Sequence, residues 1–300
     1  MSRRNQSLYG KKILITGAGS GIGALTAEAL AAEGANLYLS DVNYQAVEEV
    51  AIRCRDIVRK NGVSSRVEYM LCNVADKQSV DRMVGKAVGH MGGLDIVFAN
   101  AGIGKPVALE GDIEVADKIL DVNFKGVRYT VDACLPHVRI SNGYVLVNAS
   151  MGAIVLLALM GTAYGASKAA VAAFGQAVDL HFKGTGARCG VLYMAEHNTP
   201  MEREFEDEAV KALFEDNSRL AKAHRLRDPQ KAIRRIIWAM KTRPLYVHAP
   251  RYTVFARYFP AVPNWFVRNY LIQDPQRALA MIRERNAPAS TIEQKEYAEH

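Results

Sequence analysis

The sequence predicts an α/β protein, a mostly parallel sheet covered by helices on both faces. Short apolar strand-like runs alternate six times with helix-length segments. The runs are apolar enough to be buried on both sides, as parallel strands are. No Pro-rich or Ser-rich linker divides the first 250 residues, so residues 1–250 read as one domain. With 49% hydrophobic and 23% charged side chains, 300 residues are enough for one large core.

The elements follow in order. "KILIT" (12–16) leads into a helix over 21–34, and "NLYLS" (36–40) precedes a charged amphipathic stretch over 44–61. "RVEYMLC" (66–72) comes before a helix starting near Asp76, and "LDIVFAN" (94–100) before a long helix around 113–138. "GYVLVNAS" (143–150) precedes the helix that holds "AYGASKAA" (163–170), and "RCGVLYM" (188–194) follows it. "PLYVHAP" (244–250) fits an edge strand. Beyond it, 251–300 reads as an aromatic and basic extension with a polar tail. The greasiest run, 144–161, contains Asn148, Ser150 and several glycines, and reads as a buried strand and an apolar loop rather than a membrane span.

Four cysteines lie far apart with no C-x-x-C pair, which suggests neither a disulfide framework nor a metal site, and fits a reducing compartment. The basic start "MSRRNQSLYGKK" has no apolar core behind it, so no secretory signal is read and a cytoplasmic location is expected. The formal charge of +7 is uneven: residues 219–268 hold twelve Lys or Arg against Asp228 alone. No nucleic-acid-binding motif accompanies that charge, so no nucleic-acid partner is expected.

Two stretches suggest chemistry. "TGAGSGIG" (16–23) follows the first strand and opens the first helix, where glycines admit a pyrophosphate to the backbone and the helix N-terminus offers N–H groups. Asp41 closes the second strand eighteen residues beyond Gly23. A carboxylate there suits the adenosine ribose hydroxyls and repels a 2′-phosphate, which favours NAD over NADP; taken alone, Asp41 also fits a turn or cap. Tyr164 and Lys168, four apart, share one helical face among small residues. A solvated surface helix would look the same.

Together these motifs resemble the short-chain dehydrogenase/reductase family in its classical branch, over about residues 10–250. The resemblance rests on "TGAGSGIG", on "NV" at 73–74, "NAG" at 100–102, Asn123 in "DVNFKG", Ser150 in "NASMG", and Tyr164 with Lys168. It implies a Rossmann-type, doubly wound sheet of seven strands and an oxidoreductase that moves a hydride between a nicotinamide and a secondary alcohol or ketone. Tyr164 would be the general acid/base, its phenol acidified from about 10 by the Lys168 ammonium. Ser150 would hydrogen-bond the substrate oxygen, Lys168 would hold the nicotinamide ribose, and Asn123 would bind a water linking Lys168 to solvent. Gly17, Ser20, Gly21, Ile22 and Gly23 would cradle the diphosphate. Asn73, Val74, Asn100, Ala101 and Gly102 would cover the adenosine side, and Thr199 would meet the nicotinamide carboxamide.

The sequence departs from the family pattern in three places. Asn73 stands where Asp is commoner, the interval from Ser150 to Tyr164 is one residue longer, and Met194 and Ala195 replace Pro-Gly after the sixth strand. The last departure motivates a competing reading, a scaffold that binds the cofactor without turnover. The uncharged segment "MGAIVLLALMGTA" (151–163) would wall the substrate pocket and favours an apolar substrate, while 202–223 would form a lid. The small-residue face of the 163–180 segment suits close helix–helix contact within the chain or between copies, and the resemblance implies that this helix and the one around 113–138 build a homodimer or homotetramer. "RYTVFARYFPAVPNWFVRNYL" (251–271) suits peripheral contact with a membrane surface, and equally packing against the domain or a neighbouring subunit.

Overall fold

The structure is a computed structural model that describes residues 6–105, 113–155, 162–195, 227–251 and 253–266. These form a seven-stranded sheet in the order β3-β2-β1-β4-β5-β6-β7, with every neighbouring pair parallel. The strands are β1 (Lys12–Thr16), β2 (Asn36–Asp41), β3 (Val67–Leu71), β4 (Ile96–Ala99), β5 (Tyr144–Asn148), β6 (Arg188–Met194) and β7 (Tyr246–Ala249). The edge strand expected from "PLYVHAP" is β7.

The strands other than the edge strand β3 are largely buried on both faces, and the alternation of side chains divides the core into two layers. Ile13, Ile15, Leu37, Leu39, Phe98 and Leu146 point to one side, where they meet α1 (Gly21–Ala32), α2 (Tyr44–Lys60) and α7 (Pro229–Thr242). Leu14, Tyr38, Val97, Val145, Val147 and Val191 point to the other, against α3 (Lys77–Met91), α5 (Gly126–Ile140) and α6 (Thr162–His181). Cys54 belongs to the first layer and Cys72, Cys134 and Cys189 to the second. All four thiols are free, and burial pushes the Cys54 thiol up to about 12, so they serve as small apolar fillers.

Side chains cap the starts of three α-helices among the described residues. Asn43 accepts from Ala46 N–H at the start of α2, Asp76 from Gln78 N–H at α3, and Asp228 from Gln230 N–H at α7, with Pro229 in the first turn. The long helix expected around 113–138 differs in one respect. It consists of α4 (Ile113–Leu120), a π-helical segment (Asp121–Lys125) and α5, and the Gly126 N–H bonds the Asp121 carbonyl five residues back.

After β7 the chain forms two short helices, α8 (Thr253–Tyr258) and α9 (Ala261–Phe266). Thr253 Oγ1 lies 3.0 Å from His248 Nδ1 and donates to the Pro250 carbonyl, so this imidazole nitrogen carries the proton. The Asn264 amide donates to the Ile154 carbonyl at 3.1 Å. No helix among the described residues is long and apolar enough to cross a membrane.

Candidate active site

In a sheet of this order the strand sequence reverses between β1 and β4, and the crevice beyond the strands' C-terminal ends opens there. A cleft of about 560 Å³ occupies this place. Gly17, Ser20, Gly21 and Ile22 line it from the first turn, Asp41 from the end of β2, and Asn73 and Val74 from the end of β3. Asn100, Ala101 and Gly102 line it after β4, and Ser150, Tyr164 and Lys168 complete it. Gly23 and Asn123 do not line the cleft but stand behind it. Thr199 lies outside the described residues, as do 156–161 of the substrate wall and the 202–223 segment.

The first turn is held by contacts that leave no room for side chains. Gly17 has φ +64°, and a Cβ there would meet the Ala101 Cα at 2.7 Å. A Cβ on Gly23 would lie 2.0 Å from the Gly17 carbonyl oxygen. Ser20 precedes α1 without a side-chain cap bond, unlike the cap residues of α2 and α3, so the N-terminal N–H groups of α1 face the cleft with no side chain across them. Asp41 fills the turn role that the sequence also allowed. One carboxylate oxygen accepts from Gly19 N–H at 2.8 Å and the other from Asn43 N–H at 3.0 Å, which ties the glycine turn to the end of β2. No cation pairs with Asp41 among the described residues.

A chain of amides joins the strand ends beneath the cleft. Asn148 Nδ2 donates to Asn100 Oδ1 at 2.9 Å, and Asn100 Nδ2 donates to the carbonyls of Thr16 and Gly17. Thr16 Oγ1 in turn accepts from the N–H groups of Asn100 and Ala101. Asn148 Oδ1 is a buried acceptor without a partner among the described residues, beside a cleft that Asn148 itself lines. The glycine cradle, the uncapped α1 terminus and this acceptor fit a dinucleotide.

At the other end Lys168 is almost wholly buried, and its Nζ donates to the Asn148 carbonyl at 2.9 Å. It stands 5.6 Å from the centre of the Tyr164 ring. Burial lowers the Lys168 pKa from 10.5 to about 8, so the ammonium expected from sequence persists at neutral pH and is lost above pH 8. The folded protein therefore releases this proton before the unfolded chain does. Stability gained from that difference is complete above the unfolded value of 10.5 and lost as pH falls through 8. Thermal unfolding of the cofactor-free protein and of Lys168→Met should differ in pH dependence between these two values by about 3 kcal/mol, the wild type rising with pH. Parallel curves would show that the amine stays charged across this window.

Ser150, extended at the end of β5, accepts from Gly152 N–H through Oγ at 3.1 Å. Asn123 is fully buried in the π-helical segment. Its Oδ1 accepts from Ile103 N–H, while Nδ2 donates to the Ile103 carbonyl and to Ser167 Oγ, whose hydroxyl donates to the Tyr164 carbonyl. Asn123 thus ties the loop after β4 to the turn of α6 between Tyr164 and Lys168. Sequence reasoning missed Asn148, Thr16 and Ser167 as supports. Each stood inside a quoted motif, but only the fold shows which backbone groups they satisfy. Lys118 on α4 and Ile103 also line the cleft and carried no motif signal.

Met194 and Ala195, the replacement for Pro-Gly, line the cleft as well. Met194 pairs with Ala249, and Ala195 N–H donates to the Ala249 carbonyl at 2.9 Å, so the ladder runs on past the strand end. Ala195 is not among the residues with positive φ, and the missing glycine costs nothing at this position.

The family model for short chain dehydrogenases matches residues 11–209. An uncharacterized oxidoreductase of Staphylococcus saprophyticus is 33% identical over 224 residues, covering 74% of this chain and 93% of that one. A cyclohexanol dehydrogenase of an Acinetobacter strain is 29% identical over 249 residues, covering 83% and 94%. The solved structure of a 3-ketoacyl-(acyl-carrier-protein) reductase from Brucella melitensis, complexed with NADH, superposes with a TM-score of 0.69 at 25% identity, covering 81% of this chain and 97% of that one. On the matched motifs, the sheet order and this agreement, the chain belongs to the short chain dehydrogenase family.

Proposed function

We propose that the protein is an NAD-dependent oxidoreductase that interconverts a hydrophobic secondary alcohol and its ketone. One observation carries the reading: Ser150, Tyr164 and Lys168 line the same cleft as the uncapped start of α1. The nicotinamide, when bound, supplies or accepts the hydride. Tyr164 gives a proton to the substrate oxygen in reduction and takes it back in oxidation. Below pH 8 the Lys168 ammonium, one helical turn away, favours the phenolate that this exchange requires. Ser150 already accepts from Gly152, which leaves its hydroxyl hydrogen for the substrate oxygen. Asn123 and Ser167 hold the backbone on which Tyr164 and Lys168 ride. The water expected at Asn123 remains part of the proposal.

Asp41 and the absence of any cation paired with it among the described residues favour NAD over NADP, and the NADH-bound relative supports a nicotinamide cofactor. Ile103, Val122, Met194 and Ala195 give the reacting end apolar walls, and the cyclohexanol-oxidising relative supports an apolar ring alcohol as substrate. The exposed stripe of Ala166, Ala169, Ala173 and Leu180 on α6 supports a homodimer or homotetramer. The continuous ladder at Ala195 supports turnover over the inactive-scaffold reading.

Titration with NADH and NADPH, followed by turnover on a panel of cyclic ketones, tests the proposal. NADH should bind more tightly. Asp41→Asn keeps the volume and removes the charge, so it should move the preference towards NADPH by at least about tenfold. Tighter NADPH binding by the wild type would overturn the cofactor assignment.

A further inference from the structure

Helix α4 brings to the cleft a charge that the helix itself leaves unused. Ile119 packs with Ile103, Val115, Ala116 and Tyr164, which seats one flank of α4 on the loop after β4 and the start of α6. Lys118 and Val122, four residues apart, line the cleft from the neighbouring flank. Lys118 is exposed, and by spacing it has two carboxylates to pair with, Glu114 four residues before it and Asp121 three after. Glu placed four residues before Lys is the favourable order on a helix. Neither pair forms. Asp121 holds Lys125 at 2.6 Å, and no carboxylate pairs with Lys118 among the described residues.

Three charged side chains line the cleft among the described residues: Asp41, Lys118 and Lys168. Asp41 accepts from the N–H groups of Gly19 and Asn43, and buried Lys168 donates to the Asn148 carbonyl. Lys118 is the member of the three that nothing engages. A dinucleotide carries two negative charges, both on its diphosphate. The α1 terminus answers them with about half a positive charge, and the glycine turn over 16–23 contains no Lys or Arg. An ammonium from the α4 wall supplies the full charge that this cradle lacks.

We infer that Lys118 is a further cofactor-binding residue, whose ammonium meets the diphosphate from the α4 side of the cleft. The inference rests on the dehydrogenase reading and adds to it a contact made by charge rather than by backbone N–H groups. A lysine that merely solvates the helix surface would leave no trace in cofactor affinity, and one that served an anionic substrate would act on KM for that substrate instead.

The test titrates NADH, ADP and adenosine into the full chain and into Lys118→Met and Lys118→Arg, at low and at moderate salt. Position 118 is exposed, so both variants should keep the wild-type melting temperature. Lys118→Met should bind NADH and ADP about three- to tenfold more weakly, and adenosine, which has no phosphate, as the wild type does. Lys118→Arg keeps the charge and should retain most of the affinity. Added salt should weaken NADH binding more in the wild type than in Lys118→Met. Four results would overturn the inference: equal NADH affinity in Lys118→Met, a loss for adenosine as large as that for ADP, the same loss in Lys118→Arg, or an unchanged salt dependence. A wild type that binds no NADH would overturn the dehydrogenase reading and this contact with it. A wild type that binds NADH, with Lys118→Met as its equal, would overturn the contact alone.

Discussion

Tyr164→Phe should bind NADH as the wild type does and lose turnover by roughly two to four orders of magnitude. The phenylalanine keeps the ring at the edge of the cleft and its position 5.6 Å from the Lys168 amine, and removes only the hydroxyl. A dinucleotide held by the α1 terminus and the glycine turn would be unaffected by this change. The substrate oxygen would still meet Ser150, so residual activity from positioning is expected to remain. Fluorescence titration of NADH alongside steady-state rates separates the two effects. Undiminished turnover would remove Tyr164 from the acid/base role.

Gly23→Ala should produce the opposite pattern, a failure of binding. The new methyl would lie 2.0 Å from the Gly17 carbonyl oxygen and 2.8 Å from Asn100 Nδ2, both part of the network that shapes the turn. The turn must move away, and with it the N–H groups of the α1 terminus. NADH affinity should fall at least about tenfold, with a stability loss of about 1–3 kcal/mol from the forced shift. Gly89→Ala on α3 provides the control, because a Cβ there meets nothing within 4 Å. It should raise stability by about 0.5–1 kcal/mol and leave NADH binding alone. Calorimetry and the same titration check both variants.

The strands were legible because most are short apolar runs, and the helices up to α6 because helix-length segments alternate with them; α7 and the caps at Asn43, Asp76 and Asp228 came from the structure. The cleft lining was legible wherever a motif fixed both residue type and position, as at Gly17, Ser150 and Tyr164. What was hidden depends on neighbours distant in sequence. Sequence left Asp41 between a ribose contact and a turn or cap, and could not show its bonds to Gly19 and Asn43. Lys168 read as a plain cation, because its burial against Asn148 and the resulting drop to about 8 arise only when α6 packs on β5. The aromatics of 251–266 left open whether they face the domain or solvent, since periodicity groups residues on one side of a helix without saying which side is inward.

The π-helical turn at Asp121–Lys125 has a cost and a purpose that show most clearly if it is imagined repaired. Deleting one residue there would restore ordinary i to i−4 bonding and improve the local backbone, yet swing α4 by about 100° around its axis relative to α5. Asn123 would then leave its pocket between Ile103 and Ser167. A shorter, better helix would unfasten the α6 turn beneath Tyr164, so local perfection and a working site are mutually exclusive at this place.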